Sequence, residues 1–338
     1  MCDCCRQRNR ATPRAATRFG QNGPVSEWAG IESATATAPD ALFTSIGAGP
    51  DRPVPRLRRT ERLIVGSIDG AAHVLQRRAR DVLLGSAILM VPMVGVSVLL
   101  SVVAFNQFET SDALLGDRGY LGIESGFTFL AIALASFTAH LIGAYAAVYL
   151  VRYQMGGDPR IGECVRAVVR RVPLLLVTWL LTHWWALLFD LWLINADRSA
   201  LALLIWILPV CASLLSTCVL LVTPVMMSEG LGLGAIPRAW RLARARFGAA
   251  FGFVWSCALL AVLLFSFIAF LPQLAESTGL ITFGPYMWLV QGVTSQLALL
   301  VVVPFIAIAT AQMYLQIRVH AEGLDITIAA DRAFGARP

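Results

Sequence analysis

The chain has 338 residues and a net charge of +6, with 57% of its residues hydrophobic and only 14% charged. Soluble domains carry about a quarter charged residues, so this composition excludes an ordinary soluble globule and favours a membrane protein. All the basic residues are arginine and no lysine occurs. We interpret this bias as that of a GC-rich genome, which predicts a bacterial source.

Residues 1–58 are rich in Arg, Ala, Pro, Thr, Ser and Gly and lack any periodicity. Such a segment predicts a disordered cytoplasmic tail. Three cysteines, Cys2, Cys4 and Cys5, lie at its start, and their role is open. No cysteines occur with partners at zinc-ligand spacing, so we predict neither a metal site nor a cofactor. The remainder divides into a transmembrane domain, 59–332, and a short C-terminal tail, 333–338.

Six apolar runs follow the tail, each long enough to cross about 30 Å of hydrocarbon as a helix. They are continuous rather than alternating, so they predict helices and not a barrel. The expected fold class is therefore an all-α, polytopic membrane protein with six transmembrane helices. The predicted spans are Val82–Phe105, Phe127–Val151, Val172–Ile194, Ser199–Met227, Ala249–Leu271 and Trp288–Leu315.

Arginine counting predicts the orientation. All arginines except Arg118 and Arg198 lie before span 1, between spans 2 and 3, between spans 4 and 5, or after span 6. The positive-inside rule then predicts that both termini are cytoplasmic. With the bacterial composition, this indicates a multi-pass protein of the bacterial inner membrane.

A basic amphipathic helix is predicted before each odd-numbered span, which gives three repeats of an interfacial helix plus a transmembrane hairpin. The third has Ile236, Trp240, Ala243 and Phe247 on one face and Arg238 and Arg241 on the other, the spacing of a helix with one apolar stripe. The repeat does not decide function, because such repeats occur in transporters and also arise by duplication in scaffolds.

These helices are expected to contact anionic lipid headgroups, with a protein partner as the alternative. The partner is either another membrane protein or a cytoplasmic one. Nucleic acid is not expected, because the aromatic residues fall on the apolar face rather than in a basic groove. The predicted contact residues are Arg77, Arg80, Arg166, Arg170, Arg238, Arg241 and Trp240.

Polar residues within the spans form a second predicted site. His140 lies near the middle of span 2 and His183 near the middle of span 3, with Asp190 two turns further along the same face. Gln296 comes from span 6. Polar groups at membrane depth are costly and mark functional sites, so these four predict an intramembrane polar pocket. The alternative is that the histidines are neutral and hydrogen-bonded between packed helices.

Two segments resemble sequence motifs of the glycerophosphoryl diester phosphodiesterase membrane-domain family. One is "SEGLGLGAIPRAWRLARARFG", Ser228–Gly248, and the other is "MYLQIRVHAEGLDITIAADRA", Met313–Ala333. The second segment resembles that family's closing signature at Tyr314, Arg318, Glu322, Gly323 and Asp325. Gln316 and His320 depart from it, standing where Asp and Arg are usual. "GSIDGAAHVLQRRARDVLL", Gly66–Leu84, is similar to the family's opening helix.

The resemblance covers roughly residues 60–335 and implies a multi-pass helical membrane domain. It does not imply phosphodiesterase activity, because the chain contains no catalytic barrel. No nucleophile and base pattern occurs either, so we expect no enzyme. The expected function is a non-catalytic scaffold or accessory subunit in envelope or lipid-related processes. The alternative is a small permease or lipid transporter with a midplane site around His140 and His183.

Overall fold

Helices make up nearly all of the described chain. The structure, a computed structural model, describes residues 57, 59–195 and 210–328, and no strand occurs among them. Within these ranges the side chains of residues 97–128, 189–195, 285, 288 and 289 are outside the description. The predicted tails, 1–58 and 333–338, lie outside the described residues except for Leu57. All described residues belong to one compact unit, Asp40–Pro338.

The helices follow one another with short connections. In chain order they are α1 (Leu63–Gln154), α2 (Ile161–Val169), α3 (Val172–Asn195), α4 (described over residues 210–219), α5 (Val222–Glu229), α6 (Ala235–Ala245), α7 (Phe247–Ala269), α8 (Leu271–Ser277) and α9 (Met287–Glu322). Single 3-10 turns, Gly232–Gly234 and Gly284–Tyr286, precede α6 and α9.

The two arms of α1 pack against each other. Tyr145 Oη donates a hydrogen bond to the backbone carbonyl of Asp81 at 2.8 Å, across 64 residues. A straight helix would hold these residues about 96 Å apart, so α1 is not straight. Gly85 permits the contact, because a Cβ atom there would overlap the Tyr145 ring. The residues between predicted spans 1 and 2 lie within α1, and their side chains are not described.

The first predicted basic helix is continuous with the first span rather than a separate element. α1 begins at Leu63 and continues without a break through Val82, the predicted start of span 1. Residues 71–84 contain neither proline nor glycine, so nothing there ends the helix. The second and third basic helices do form separate elements, α2 and α6.

Five described helical segments are long and apolar enough to cross a membrane: Leu63–Val96, Phe129–Gln154, Val210–Glu229, Phe247–Ala269 and Val290–Glu322. α3 supplies a shorter apolar stretch, Val172–Leu188. Each of the six predicted spans thus overlaps an apolar helix, although the fourth is described only from residue 210. The prediction of an all-α, multi-pass membrane protein is confirmed.

A proline accounts for the interruption of the fourth span. α4 ends at residue 219, two turn residues follow, and α5 begins at Val222. Pro224 has no N–H group to donate to the carbonyl of Leu220, four residues earlier, so the helical ladder breaks there. Pro92 and Pro304, in contrast, lie inside the continuous helices α1 and α9.

α9 packs most extensively against α1, and it also contacts α7. The largest side chains in this core are Tyr145, Tyr149, Tyr314 and Phe253, all fully buried. The opposite face of α7 carries large apolar side chains that are 57–70% exposed, namely Leu259, Val262, Leu263 and Phe267. Such a face is stable where lipid surrounds it.

The face of α6 that packs against the rest of the protein differs from the apolar face predicted from the sequence. The buried residues are Ala235, Ala239, Leu242 and Ala243. Of the predicted face only Ala243 is among them, and Trp240 is 40% exposed. The small alanines allow α6 to lie close to its neighbours, while the larger Trp240 remains on the outside.

Candidate functional site

An ion cluster joins the ends of α5, α6 and α9. We define it as Ser228, Glu229, Arg238, Tyr314, Arg318 and Glu322. Arg238 Nε donates to Glu229 Oε2 at 3.0 Å, and its Nη2 atom pairs with Glu322. The Glu229 side chain is only 6% exposed and that of Arg238 is 19% exposed. One guanidinium on α6 thus holds together two carboxylates from two different spans.

Tyr314 and Arg318 complete the ion cluster from α9. Tyr314 Oη donates to Glu229 Oε1 at 2.9 Å and accepts from Ser228 Oγ at 2.7 Å. Arg318 Nε donates to Glu322 Oε2 at 3.0 Å, and Arg318 Nη1 lies 3.6 Å from Glu229 Oε1. Two arginines therefore neutralise two glutamates, and each ion has a partner of opposite charge.

The charges of the cluster reinforce one another. Burial lowers the pKa of Arg238, but Glu229 and Glu322 raise it more, so the net shift of the pKa is upward. Arg238 is therefore permanently charged and fully engaged with the protein. The ion cluster has the character of a structural joint, because its donors and acceptors are already matched.

Both glutamates of the ion cluster lie at the end of a helix and are followed by a glycine. α5 ends at Glu229 and α9 at Glu322, and each is followed by a glycine in the left-handed conformation, Gly230 and Gly323. Both Glu-Gly pairs lie in the segments that carry the family resemblance. Their repetition at the ends of two spans was the signal that could have predicted the contact.

The other predicted lipid or partner contacts differ from Arg238. The exposed residues among them are Arg77, Arg80, Arg166, Arg170, Arg241 and Trp240. Arg238 was grouped with them, but the structure turns it inward to the ion cluster. The exposed set leaves basic and aromatic groups on the surface of α1, α2 and α6.

Gln316 and His320 hold Thr60, which lies just before α1. Thr60 N donates to Gln316 Oε1 at 3.0 Å, and His320 Nε2 donates to Thr60 O at 2.8 Å. Both polar groups of one peptide segment are thus fixed by side chains one turn apart on α9. Both side chains therefore help to fix the start of α1 against α9.

A cavity of about 760 Å³ lies among the spans. Residues from α1, α3, α4, α5, α7 and α9 line it, and most are apolar, including Val219, Phe265 and Val302. Val262, which is 62% exposed, also lines it, so the cavity reaches the outer face of α7. The cavity has the size of a ligand pocket.

His140 and His183, two residues of the predicted pocket, lie together at this cavity. Their ring centroids lie 5.6 Å apart in an edge-to-face arrangement, and both rings line the cavity. His140 Nδ1 lies 3.3 Å from Thr223 Oγ1 on α5. His183 Nδ1 lies 2.8 Å from Thr182 Oγ1. The sequence analysis did not predict Thr223 as a site residue. The signal for it was the neighbouring Pro224, which interrupts the fourth span beside the cavity.

Two lining side chains have buried polar atoms without a partner, His140 Nε2 and Trp185 Nε1. His140 is only 7% exposed. Native proteins leave few buried polar atoms unpaired. Among the described residues that line the cavity, these two atoms are the buried polar atoms that a ligand could pair.

The other two residues of the predicted pocket do not line the cavity. Gln296 lies on α9, one turn before Leu299, the first residue of that helix to line it. Its Oε1 atom is also buried without a partner. Asp190 belongs to α3, but its side chain lies outside the described residues. The structure thus joins the two histidines and leaves their grouping with Asp190 a prediction.

Side chains that could ligate a metal do not gather in the part of the chain that the structure describes. No three His, Cys, Asp or Glu side chains there come together as a metal site. Burial raises the pKa of the Cys164 thiol on α2 to about 11, so this cysteine remains a neutral, buried thiol.

Comparison with protein-family models, with curated proteins and with solved structures finds no match for this chain. The resemblance to the phosphodiesterase-associated membrane domain therefore stays a prediction. The geometry nevertheless brings together Glu229 and Arg238 from one of the resembling segments with Tyr314, Arg318 and Glu322 from the other.

Proposed function

We propose that this protein is a non-catalytic, lipid-handling membrane protein whose cavity accepts the apolar body of a lipid. The observation that carries the proposal is the cavity of about 760 Å³, lined mainly by apolar side chains and containing the His140–His183 pair. A lipid can reach it sideways past Val262, without crossing an aqueous vestibule. This supports the permease or lipid-transporter alternative over a scaffold, which requires no space between its spans.

The experiment fills the cavity and compares bound lipid. Ala261 on α7 lines the cavity, whereas Ala258, one turn earlier on the same helix, is exposed and does not. We expect Ala261→Phe to lose the lipid that co-purifies with the wild-type chain in mild detergent, as measured by native mass spectrometry. Ala258→Phe is the matched control and should retain it. Equal lipid content in both variants, or none in the wild type, would overturn the proposal.

We propose further that the protein resides in a bacterial inner membrane with both termini cytoplasmic. The arginine distribution supports this. The contacts support a common side for the arginine-rich segments, because Thr60 contacts His320, Arg78 contacts Asp158, and Arg238 contacts Glu322. Cysteine labelling in intact cells tests it. Asp117→Cys should react with an impermeant reagent and Arg241→Cys should not, and equal reactivity would refute the topology.

The exposed basic residues extend the proposal to the membrane surface. Arg241 and Trp240 lie side by side on the outside of α6, and Arg166 and Arg170 lie on α2. Arginines near anionic lipid gain about 1 kcal/mol each, and the indole suits the interface. We infer that these residues contact anionic headgroups, with a membrane or cytoplasmic protein as the alternative partner.

A further inference from the structure

We infer that the cavity is specific for an uncharged lipid that carries a hydroxyl group, with a carbonyl close to it. This inference rests on the proposed function, and names the chemical class of lipid that the cavity accepts.

The unpaired atoms define what the headgroup must offer. Trp185 Nε1 can only donate, so its partner must be an acceptor such as a carbonyl oxygen. His140 Nε2 donates or accepts according to the tautomer that Thr223 selects through Nδ1. A hydroxyl group satisfies His140 in either tautomer, because it both donates and accepts.

His183 adds a second reason for a hydroxyl donor. Thr182 Oγ1 has a single hydrogen, and it donates to the Thr178 carbonyl at 2.7 Å. Thr182 Oγ1 must then accept from His183 Nδ1–H, at 2.8 Å. In the neutral ring this leaves His183 Nε2 as an acceptor. An aprotic ligand has nothing to donate to that atom.

The lining charges argue against an anionic headgroup. No arginine, aspartate or glutamate is among the described residues that line the cavity. The arginines that contact α5 have partners there: Arg238 and Arg318 pair with Glu229, and Arg171 Nη1 donates to the carbonyl of Met226 at 3.0 Å. A phosphate in the cavity would be buried without a permanent cation beside it, which is strongly unfavourable.

Photolabelling with three chain-matched probes tests the inference. The probes are a diazirine-bearing monoacylglycerol, its phosphate ester, and the methyl ester of the same fatty acid, each added to the wild-type protein in phosphatidylcholine nanodiscs. The monoacylglycerol offers hydroxyl and ester carbonyl groups without charge. The phosphate ester adds charge, and the methyl ester lacks the hydroxyl. We expect the monoacylglycerol to label cavity peptides about five- to tenfold more than either analogue, as one hydrogen bond or more would give.

Variants locate the selectivity within the cavity. Trp185→Phe removes only the indole N–H group and should reduce monoacylglycerol labelling several-fold. Trp184→Phe alters the neighbouring indole, which is 58% exposed and does not line the cavity, and should have no effect. His140→Leu should reduce the preference for the hydroxyl-bearing probe. Size-exclusion chromatography of each variant shows whether it is folded.

The outcomes separate the inference from the proposed function. If the phosphate ester labels cavity peptides as strongly as the monoacylglycerol, the uncharged class is wrong while lipid binding stands. If the methyl ester labels equally, the hydroxyl is not recognised and the inference also fails. If no probe labels cavity peptides in the wild-type protein, the inference and the proposed function both fail.

Discussion

The ion cluster and the cavity place polar groups inside the same helical protein in opposite ways. In the ion cluster Arg238 and Arg318 face Glu229 and Glu322, so each charge has its counter-charge within the chain. In the cavity, polar atoms of His140 and Trp185 are buried without partners. Matched polar groups indicate a joint that stabilises the fold, whereas unmatched ones indicate a place for another molecule.

The largest expected effect is in the ion cluster. Glu229→Gln leaves Arg238 and Arg318 buried with one carboxylate fewer, and breaking a buried ion pair costs about 3–5 kcal/mol. The thermal midpoint in detergent should fall sharply. Glu163→Gln is the matched control, because its partner Arg152 is on the surface and the pair is exposed; it should cost less than about 1 kcal/mol. Similar midpoints for the two variants would contradict the structural role of the cluster.

A smaller loss is expected when only the hydroxyl of Tyr314 is removed. Tyr314→Phe retains the ring in the core but deprives Glu229 and Ser228 of a hydrogen-bonding partner. Loss of a buried hydrogen bond costs about 1–3 kcal/mol. The thermal midpoint should therefore lie between those of wild type and Glu229→Gln. Tyr286→Phe alters an exposed tyrosine, and a comparable shift in that variant would rule out the explanation.

The link between Thr60 and α9 should show a local effect. Gln316→Ala removes the acceptor of the Thr60 N–H group, at a cost of about 1 kcal/mol. Hydrogen exchange of the peptide that begins α1 should then accelerate about fivefold, while exchange in α7 stays the same. Unchanged exchange at Thr60 would show that Gln316 does not hold this segment.

The smallest effect on stability is expected in the cavity, where polar side chains should contribute to ligand binding rather than to the fold. His140→Leu replaces a buried ring that has one long hydrogen-bond contact, from Nδ1 to Thr223 Oγ1, and one unpaired nitrogen, Nε2. An apolar substitute of similar size should change stability by less than about 1 kcal/mol in either direction, while lipid labelling falls. A fall in the thermal midpoint as large as that of Glu229→Gln would place His140 in the fold rather than in a binding site.

Hydropathy predicted the spans because lipid forces apolar, internally hydrogen-bonded helices on the chain. The meeting of His140 and His183 was also predictable, since each lies mid-span in a neighbouring helix. The ion cluster was not, because helical periodicity placed Arg238 on the polar face of an isolated helix. Its actual environment depends on Glu322, which is distant in sequence and reaches α6 only through the packing of α9. The cavity depends in the same way on six helices at once.

Biosynthesis gives the position of α9 a further meaning. α9 is the last described span to emerge from the ribosome, yet it carries the partners of Thr60, Glu229 and Arg238. Until it inserts, a buried carboxylate on α5 and a guanidinium on α6 have only each other, and α1 lacks its main neighbour. A chain that ended before α9 would therefore lack Tyr314, Arg318 and Glu322 of the ion cluster and the main packing partner of α1.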